Sequence, residues 1–458
     1  MLKKYVRHII MNGLTLRKNI MKKNNKFFKY VSQNIFAMIG MSCYIIADTF
    51  FISKAEGTDG ITVLNLALPL YGIIFAIGAM IGIGSATRYA IARERKDKDE
   101  NRYFCNAIIF EILVGLIFTV AGVFFTDKVM GIMGADKEII ELGRGYNRIF
   151  LAFAPAFMVN YTFTGFVRND NDSRLVMIAT LTSCASNILL DYVFMFPMGM
   201  GMKGAALATS LSPIISILIC SIHFFKKINR IKFVPSLPSV KLLFRSCQLG
   251  VASFVAEISS AVTTTVFNFI LLRIAGNTGV AAYGLIANLA LVGAAIFNGI
   301  AQGTQPLVSE SFGKGDDKEV ATYLKKAVIT AFVFALIIVG IIYGFTDYCV
   351  ALFNSEHSVE LANLAYTGMR IYFIGFIFAS LNIVCAGFFG ATEQAGKTFL
   401  ISIMRGFVMN VISSLVLSSI LGITGVWLAF PVAEFVTGLV TVILLRKYFH
   451  KNRTESHE

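Results

Sequence analysis

Residues 33–99 read QNIFAMIGMSCYIIADTFFISKAEGTDGITVLNLALPLYGIIFAIGAMIGIGSATRYAIARERKDKD, and the chain performs this stretch twice. Laid without gaps on residues 252–318 at an offset of 219, it matches Gly57 with Gly276, Gly60 with Gly279, Gly84 with Gly303 and Asp97 with Asp316. Both copies run in the same order: a long apolar run, a basic residue (Lys54, Arg273), a short glycine-bounded turn, a second apolar run and a charged loop. Farther on, Arg148, Ile149 and Phe166 align with Arg370, Ile371 and Phe388 at an offset of 222. The chain therefore reads as two halves of roughly 220 residues, the internal symmetry of a secondary transporter.

With 458 residues, 56% hydrophobic and 15% charged, the chain holds more apolar side chain than one soluble core can bury. Twelve runs are long enough to cross about 30 Å of hydrocarbon. Inside a bilayer the backbone must satisfy itself, so these runs are expected to be helices. The expected fold is an all-α integral membrane protein with twelve transmembrane helices in two pseudo-symmetric six-helix lobes. The expected boundaries are a basic tail at 1–26, a first lobe at 27–225, a linker at 226–246, a second lobe at 247–449 and a tail at 450–458.

The net charge of +14 is distributed unevenly. Lys and Arg crowd the N-terminal tail, the loops after the second, fourth, sixth, eighth and tenth spans, and the C-terminal end, whereas the alternate loops are poor in them. That alternation is the positive-inside pattern. It places both termini in the cytoplasm and makes the basicity a report of orientation rather than of a nucleic-acid partner. The seven cysteines stand singly, so no disulfide is expected. There is no GxxxxGK[ST] loop, nucleophile elbow or His/Cys cluster, so neither an enzyme nor a bound cofactor is expected. The five histidines fall at termini, loops or span ends.

Ionisable groups within apolar spans cost roughly 2.5 to 3.5 kcal/mol on insertion scales and are functional candidates for that reason. Asp48 lies toward the outer end of the first span, where a carboxylate could also reach the interface. Asn187 and Asp191 are four apart in the fifth, which stacks an amide and a carboxylate on one helix face. Thr209 ends the small-residue run Ala205-Ala206-Leu207-Ala208-Thr209 in the sixth, a face suited to close packing unless its hydroxyl bonds back to its own helix.

Taken in order with the repeat, the ADTFF run at Asp48, the NxxLD pair and the GxxGAALAT segment resemble the multidrug and toxic compound extrusion (MATE) transporters, and look nearest to the MepA-like bacterial branch. The resemblance covers Phe27 to Phe449. It implies a cation or proton site in the first lobe formed by Asp48, Asn187, Asp191 and Thr209, with H+ or Na+ as the coupling ion. In the second half Phe267 stands opposite Asp48, and Asn410 and Ser414 opposite Asn187 and Asp191, so the repeat has lost those carboxylates. Glu257 matches a helix-seven acid of many family members and, with Glu434, is a candidate for coupling or substrate contact. The chain departs from the family where Gln33 takes the place of a first-helix proline.

The implied function is cation-coupled efflux of lipophilic, often cationic drug-like compounds by alternating access, in a bacterial plasma membrane, by a monomer among membrane lipids. The substrate chamber is expected between the lobes, with Met158, Tyr161 and Phe297 among its lining. A lipid-linked glycan flippase of the same superfamily is the alternative; it would more often show extra spans and a cationic central cavity. An ion channel is a third reading, which saturating, exchanging flux would exclude.

Overall fold

In the computed structural model the backbone is described for residues 2–234, 237–353 and 358–455, and side chains for 23–57, 59–234, 237–259, 262–351 and 358–450. The side chains of most of the basic N-terminal tail, and of residues 451–458, lie outside the described residues. The described chain is helical almost throughout. The first lobe comprises α1 (Lys23–Gly57), α2 (Asp59–Glu94), α3 (Arg102–Ile132), α4 (Lys137–Ala152), α5 (Ala154–Asn169), α6 (Ser173–Met195) and α7 (Gly201–Ser221). The second lobe repeats it as α8 (240–275), α9 (277–313), α10 (Asp317–Phe353), α11 (Val359–Tyr372), α12 (Gly375–Ala391), α13 (Ala395–Leu421) and α14 (Ile423–Glu455). The continuous helix Val240–Gly313 has 74 residues. At 1.5 Å per residue it would be about 110 Å long, so it must cross a bilayer twice. Counting it as two spans, and each bent pair α4–α5 and α11–α12 as one, gives twelve.

The breaks repeat more faithfully than the side chains. Gly57 (φ 61, ψ −140) and Gly276 (φ 59, ψ −153) separate the first two helices of each lobe. Only glycine tolerates that combination without steric cost, which is why these two residues survive at the same position in both copies. Phe125 (φ −129, ψ 20) and Phe345 (φ −125, ψ 21) interrupt α3 and α10. Beside them Thr126 and Thr346 each donate to the carbonyl four residues back, a bond that bends helices. The last turns of α3 and α10 are therefore set at a kink to the rest of each helix. The fourth and tenth spans are broken by 43° and 47°. Pro155 opens α5 after the first of these breaks, since it lacks the N–H a continuing helix would use. The linker also ends sooner than expected, because Ser239 caps α8 by accepting from the Leu242 N–H at 3.4 Å.

The lobes meet through α1 against α9 and α2 against α8. A Cβ on Gly84 would lie 2.1 Å from the Ser246 carbonyl oxygen, and one on Gly250 would lie 1.9 Å from that of Met80. At the mirrored crossing, Gly299 and Gly303 press on the backbones of Ile35 and of Tyr30 and Val31. Ion pairs join the lobes at the same end: Lys26–Glu310 at 2.9 Å, Lys23–Glu319 at 3.0 Å, Arg95–Glu393 at 2.8 Å and Arg88–Glu393. Among the described residues every inter-lobe ion pair lies there, at the end where α1 begins and α2 ends. The lobes are shut together at this basic end.

A buried polar knot reinforces that end of the first lobe. His223 is fully buried, with Nε2 2.8 Å from Asp170 and Nδ1 3.1 Å from Asp172. Asp170 also accepts from Arg93 and from the Arg230 backbone N–H, and Asp172 from Lys226 at 2.7 Å. Burial raises the Asp172 carboxyl, but the His223 and Lys226 hydrogen bonds outweigh it and hold the group at about 2. Its contribution to stability is therefore present above about pH 4 and fades only as pH falls toward 2. His223, placed by the sequence at a span end without a role, is the centre of this knot.

Candidate functional site

The four first-lobe residues singled out by their polarity come from α1, α6 and α7 and are brought together. Asp48 is 9% exposed, and Asn187 and Asp191 are fully buried. The buried carboxyl groups of Asp48 and Asp191 are near enough to feel each other's charge. With its amide turned to satisfy both neighbours, Asn187 donates to Asp191 Oδ2 at 3.2 Å and accepts from the Thr209 backbone N–H at 3.3 Å. The Thr209 hydroxyl lies 3.4 Å from the same amide. One oxygen of each carboxyl group, Oδ1 of Asp48 and of Asp191, is buried with no hydrogen-bond partner.

Small side chains allow this convergence, since Ala205, Ala206 and Ala208 are fully buried and let α7 lie close to its neighbours. Two orphaned carboxyl oxygens with an amide and a hydroxyl beside them form a hard, all-oxygen donor set, which suits a proton or Na+. Sequence reasoning missed the phenols around it: Tyr44, Tyr71 and Tyr146 all lie within electrostatic reach of Asp48. Tyr71 is buried in the first-lobe core, its ring stacked 3.6 Å from that of Phe150. Nothing in the sequence separates such a tyrosine from ordinary packing.

The repeat mates do something different. Ser414 donates to the Asn410 carbonyl at 2.6 Å and the Asn410 amide to the Arg405 carbonyl, so the second lobe turns these groups back on their own helix. Its charge is elsewhere. Glu434 is fully buried and accepts from Arg405 at 2.8 Å and from Asn382 at 2.7 Å, while Asn382 accepts from Thr441 at 2.9 Å. Arg405 sits in a π-helical turn, Met404–Val408, that widens α13 and re-aims its side chain.

A cavity of about 490 Å³ opens beside this pair. It was expected between the lobes, but it belongs almost wholly to the second: among the described residues only Ile83, Thr87 and Arg168 come from the first. Glu257 and Phe297 line it, and Glu434 forms part of its wall. Two other expected lining residues do not. Met158 is fully buried in the first-lobe core against Gly78, and Tyr161 packs on Gly78 and Gly82, although its phenol is near enough to Glu257 to feel its charge. Glycines at those positions draw both side chains into the α2–α5 contact. Arg168, assigned by the sequence to a loop, ends α5 and is buried.

Glu434 is thus held by Arg405. Glu434→Gln should leave that guanidinium uncompensated and cost roughly 3 kcal/mol, read as a lowered thermal midpoint in detergent. The double variant Arg405→Met, Glu434→Leu should recover most of the loss. A Glu434→Gln protein as stable as the parent would show that the pair contributes nothing.

The family model MatE matches residues 34–193 and again residues 252–439, once in each lobe. The chain belongs to the MatE family. Among similar proteins of this family, "Multidrug export protein MepA" of Staphylococcus aureus (strain MRSA252) is 26% identical over 412 residues, 88% of this chain and 89% of that one. The protein of the same name from Staphylococcus saprophyticus is 23% identical over 410 residues, with the same coverage. Among solved structures, the outward-facing conformation of a multidrug resistance MATE family transporter of the MOP superfamily superposes with a TM-score of 0.88 at 22% identity, over 94% of this chain and 97% of that one. A MOP superfamily transporter from Pyrococcus furiosus, described as having a binding pocket of reverse polarity, gives 0.84 at 23% identity over 92% and 95%. The MATE fold, with its pair of six-span lobes, is thereby established for this chain.

Proposed function

We propose that this MatE protein is a multidrug efflux antiporter, coupling entry of H+ or Na+ to export of lipophilic, mainly cationic compounds. One observation carries the reading: Asp48 and Asp191 lie buried within reach of each other's charge, each with an unpartnered oxygen, in the lobe that contributes least to the cavity. An ion there relieves the repulsion and poor solvation of the paired carboxyls, so its arrival and departure bias how the lobes stand. The substrate end of the exchange is the second-lobe cavity, where Glu257 offers a negative charge among aromatic rings. The names of the staphylococcal relatives support export of drugs.

The basic end that is shut corresponds, by the distribution of Lys and Arg, to the cytoplasm, with both termini there. The lobes then stand in an outward-facing arrangement, and alternating access opens the other way by parting the glycine crossings. A glycan flippase would need a cationic cavity; here Glu434 pairs with Arg405, and Glu257 brings the charged lining to two acidic and two basic side chains among the described residues.

Proteoliposomes loaded with ethidium test the exchange, with a pH gradient and a Na+ gradient imposed separately. Export is expected to follow one of them and to saturate with dye. Export indifferent to both would remove the ion from the mechanism, and non-saturating flux would indicate a channel.

A further inference from the structure

One charge in the cavity has no part in ion coupling and no partner. Arg168 is 7% exposed, lines the cavity, and meets no carboxylate or other hydrogen-bond acceptor among the described residues; its Nε is sealed away unpaired. Other arginines near the inter-lobe contact are provided for: Arg405 by Glu434, Arg93 by Asp170 and Arg88 by Glu393. A guanidinium does not deprotonate in proteins, and a buried charge without a counter-charge is costly. The expense is relieved when the counter-charge arrives with a ligand. Among the described residues the one other unpaired charge lining the cavity is Glu257, on α8, and Tyr372 and Phe430 stack at 4.4 Å to give the cavity an aromatic wall.

We propose that Arg168 is an anion subsite, receiving the carboxylate of an aromatic amphiphile whose cationic group faces Glu257. This rests on the reading of the cavity as the substrate chamber. A planar guanidinium binds a carboxylate through two parallel hydrogen bonds, which gives direction as well as strength. Among the described residues Arg168 is also the only charge the first lobe contributes to the cavity, so a ligand held there spans both lobes and loses its anchor when they part at the basic end. A merely structural Arg168, resting on the negative C-terminal end of α5, would be blind to the ligand's charge.

Tetramethylrhodamine and its methyl ester form a matched pair, one with a free carboxylate and the other a simple cation. Their binding to the purified full-length protein in detergent is read by fluorescence anisotropy. Arg168→Gln is expected to weaken the free acid by at least about tenfold, while the ester binds as well or more tightly because a repelling charge has gone. Arg168→Lys should keep only part of the acid's affinity, because an ammonium cannot make the two parallel hydrogen bonds, and Glu257→Gln should weaken both dyes. Equal weakening of both dyes by Arg168→Gln, with an unchanged gel-filtration profile, would make Arg168 structural and overturn the subsite. Should that variant fail to fold, the acid-to-ester ratio of Arg168→Lys decides, and no change from the parent with a ratio insensitive to salt overturns it equally. If wild-type proteoliposomes export neither dye, the efflux reading falls, while the binding ratio still settles the subsite.

Discussion

Asp191→Asn is expected to yield a folded protein that binds dye and no longer accumulates it against a gradient. Asp191 does not line the cavity, so the cation-binding Glu257 is untouched. The replacement has the same shape and can still meet the Asn187 amide, which lies 3.2 Å from Asp191 Oδ2. What it lacks is a charge to exchange. If two monovalent cations enter per monocationic dye exported, one net positive charge moves inward and 100 mV contributes about 2.3 kcal/mol; at about 1.4 kcal/mol per tenfold this is a roughly 50-fold loss of accumulation. Any contribution from an ion gradient is lost as well. Removing one of two buried carboxyls also relieves their mutual repulsion, so the thermal midpoint should hold or rise. Dye accumulation in proteoliposomes under an imposed potential measures the effect. A variant that couples normally would sink the assignment of the ion to this pocket. Asp48→Asn should behave alike, and the double variant no worse than either single one, because the two residues act as a unit.

Gly250→Ala should have the second large effect, through conformation rather than chemistry. Its new Cβ would lie 1.9 Å from the Met80 carbonyl oxygen, where backbone meets backbone and no flexible side chain can yield. Such overpacking costs about 1–3 kcal/mol. The cost falls only on the arrangement in which α2 and α8 touch, so the lobe equilibrium should shift by roughly 5- to 150-fold toward the parted state. Cys247, half-buried beside the crossing, reports the change. With the other cysteines replaced, its labelling by a membrane-impermeant maleimide from the basic side should accelerate, and export should slow. Unaltered labelling would mean that this crossing does not open. Gly84→Ala, 2.1 Å from the Ser246 carbonyl oxygen, should act in the same direction.

The architecture was readable because its determinants are local and one-dimensional. Span length, the alternation of Lys and Arg, and glycines such as Gly57 and Gly276 mark a helix or its interruption wherever they occur. The first-lobe carboxylates could be picked out for a similar reason: Asp48 and Asp191 are conspicuous in apolar runs. The rest depends on which face a helix turns and on where it bends. Met158 and Tyr161 looked like lining until the glycines at 78 and 82 drew them into the α2–α5 contact. Arg168 counted as one more basic loop residue, because the 43° break that sets the course of α5 is not visible in sequence. His223 required the turn at 170–172 to meet the segment after α7 before its partners could be named.

The buried carboxyl pair and most of the cavity lie in opposite lobes, although both lobes descend from one repeated pattern. Under the proposed exchange the consequence is evolutionary: coupling and most of the substrate wall occupy separate stretches of one gene. Selection by a new toxin can rewrite the wall of the second lobe while the first keeps its oxygens in register. Such a protein can track a changing chemical environment without rebuilding its engine.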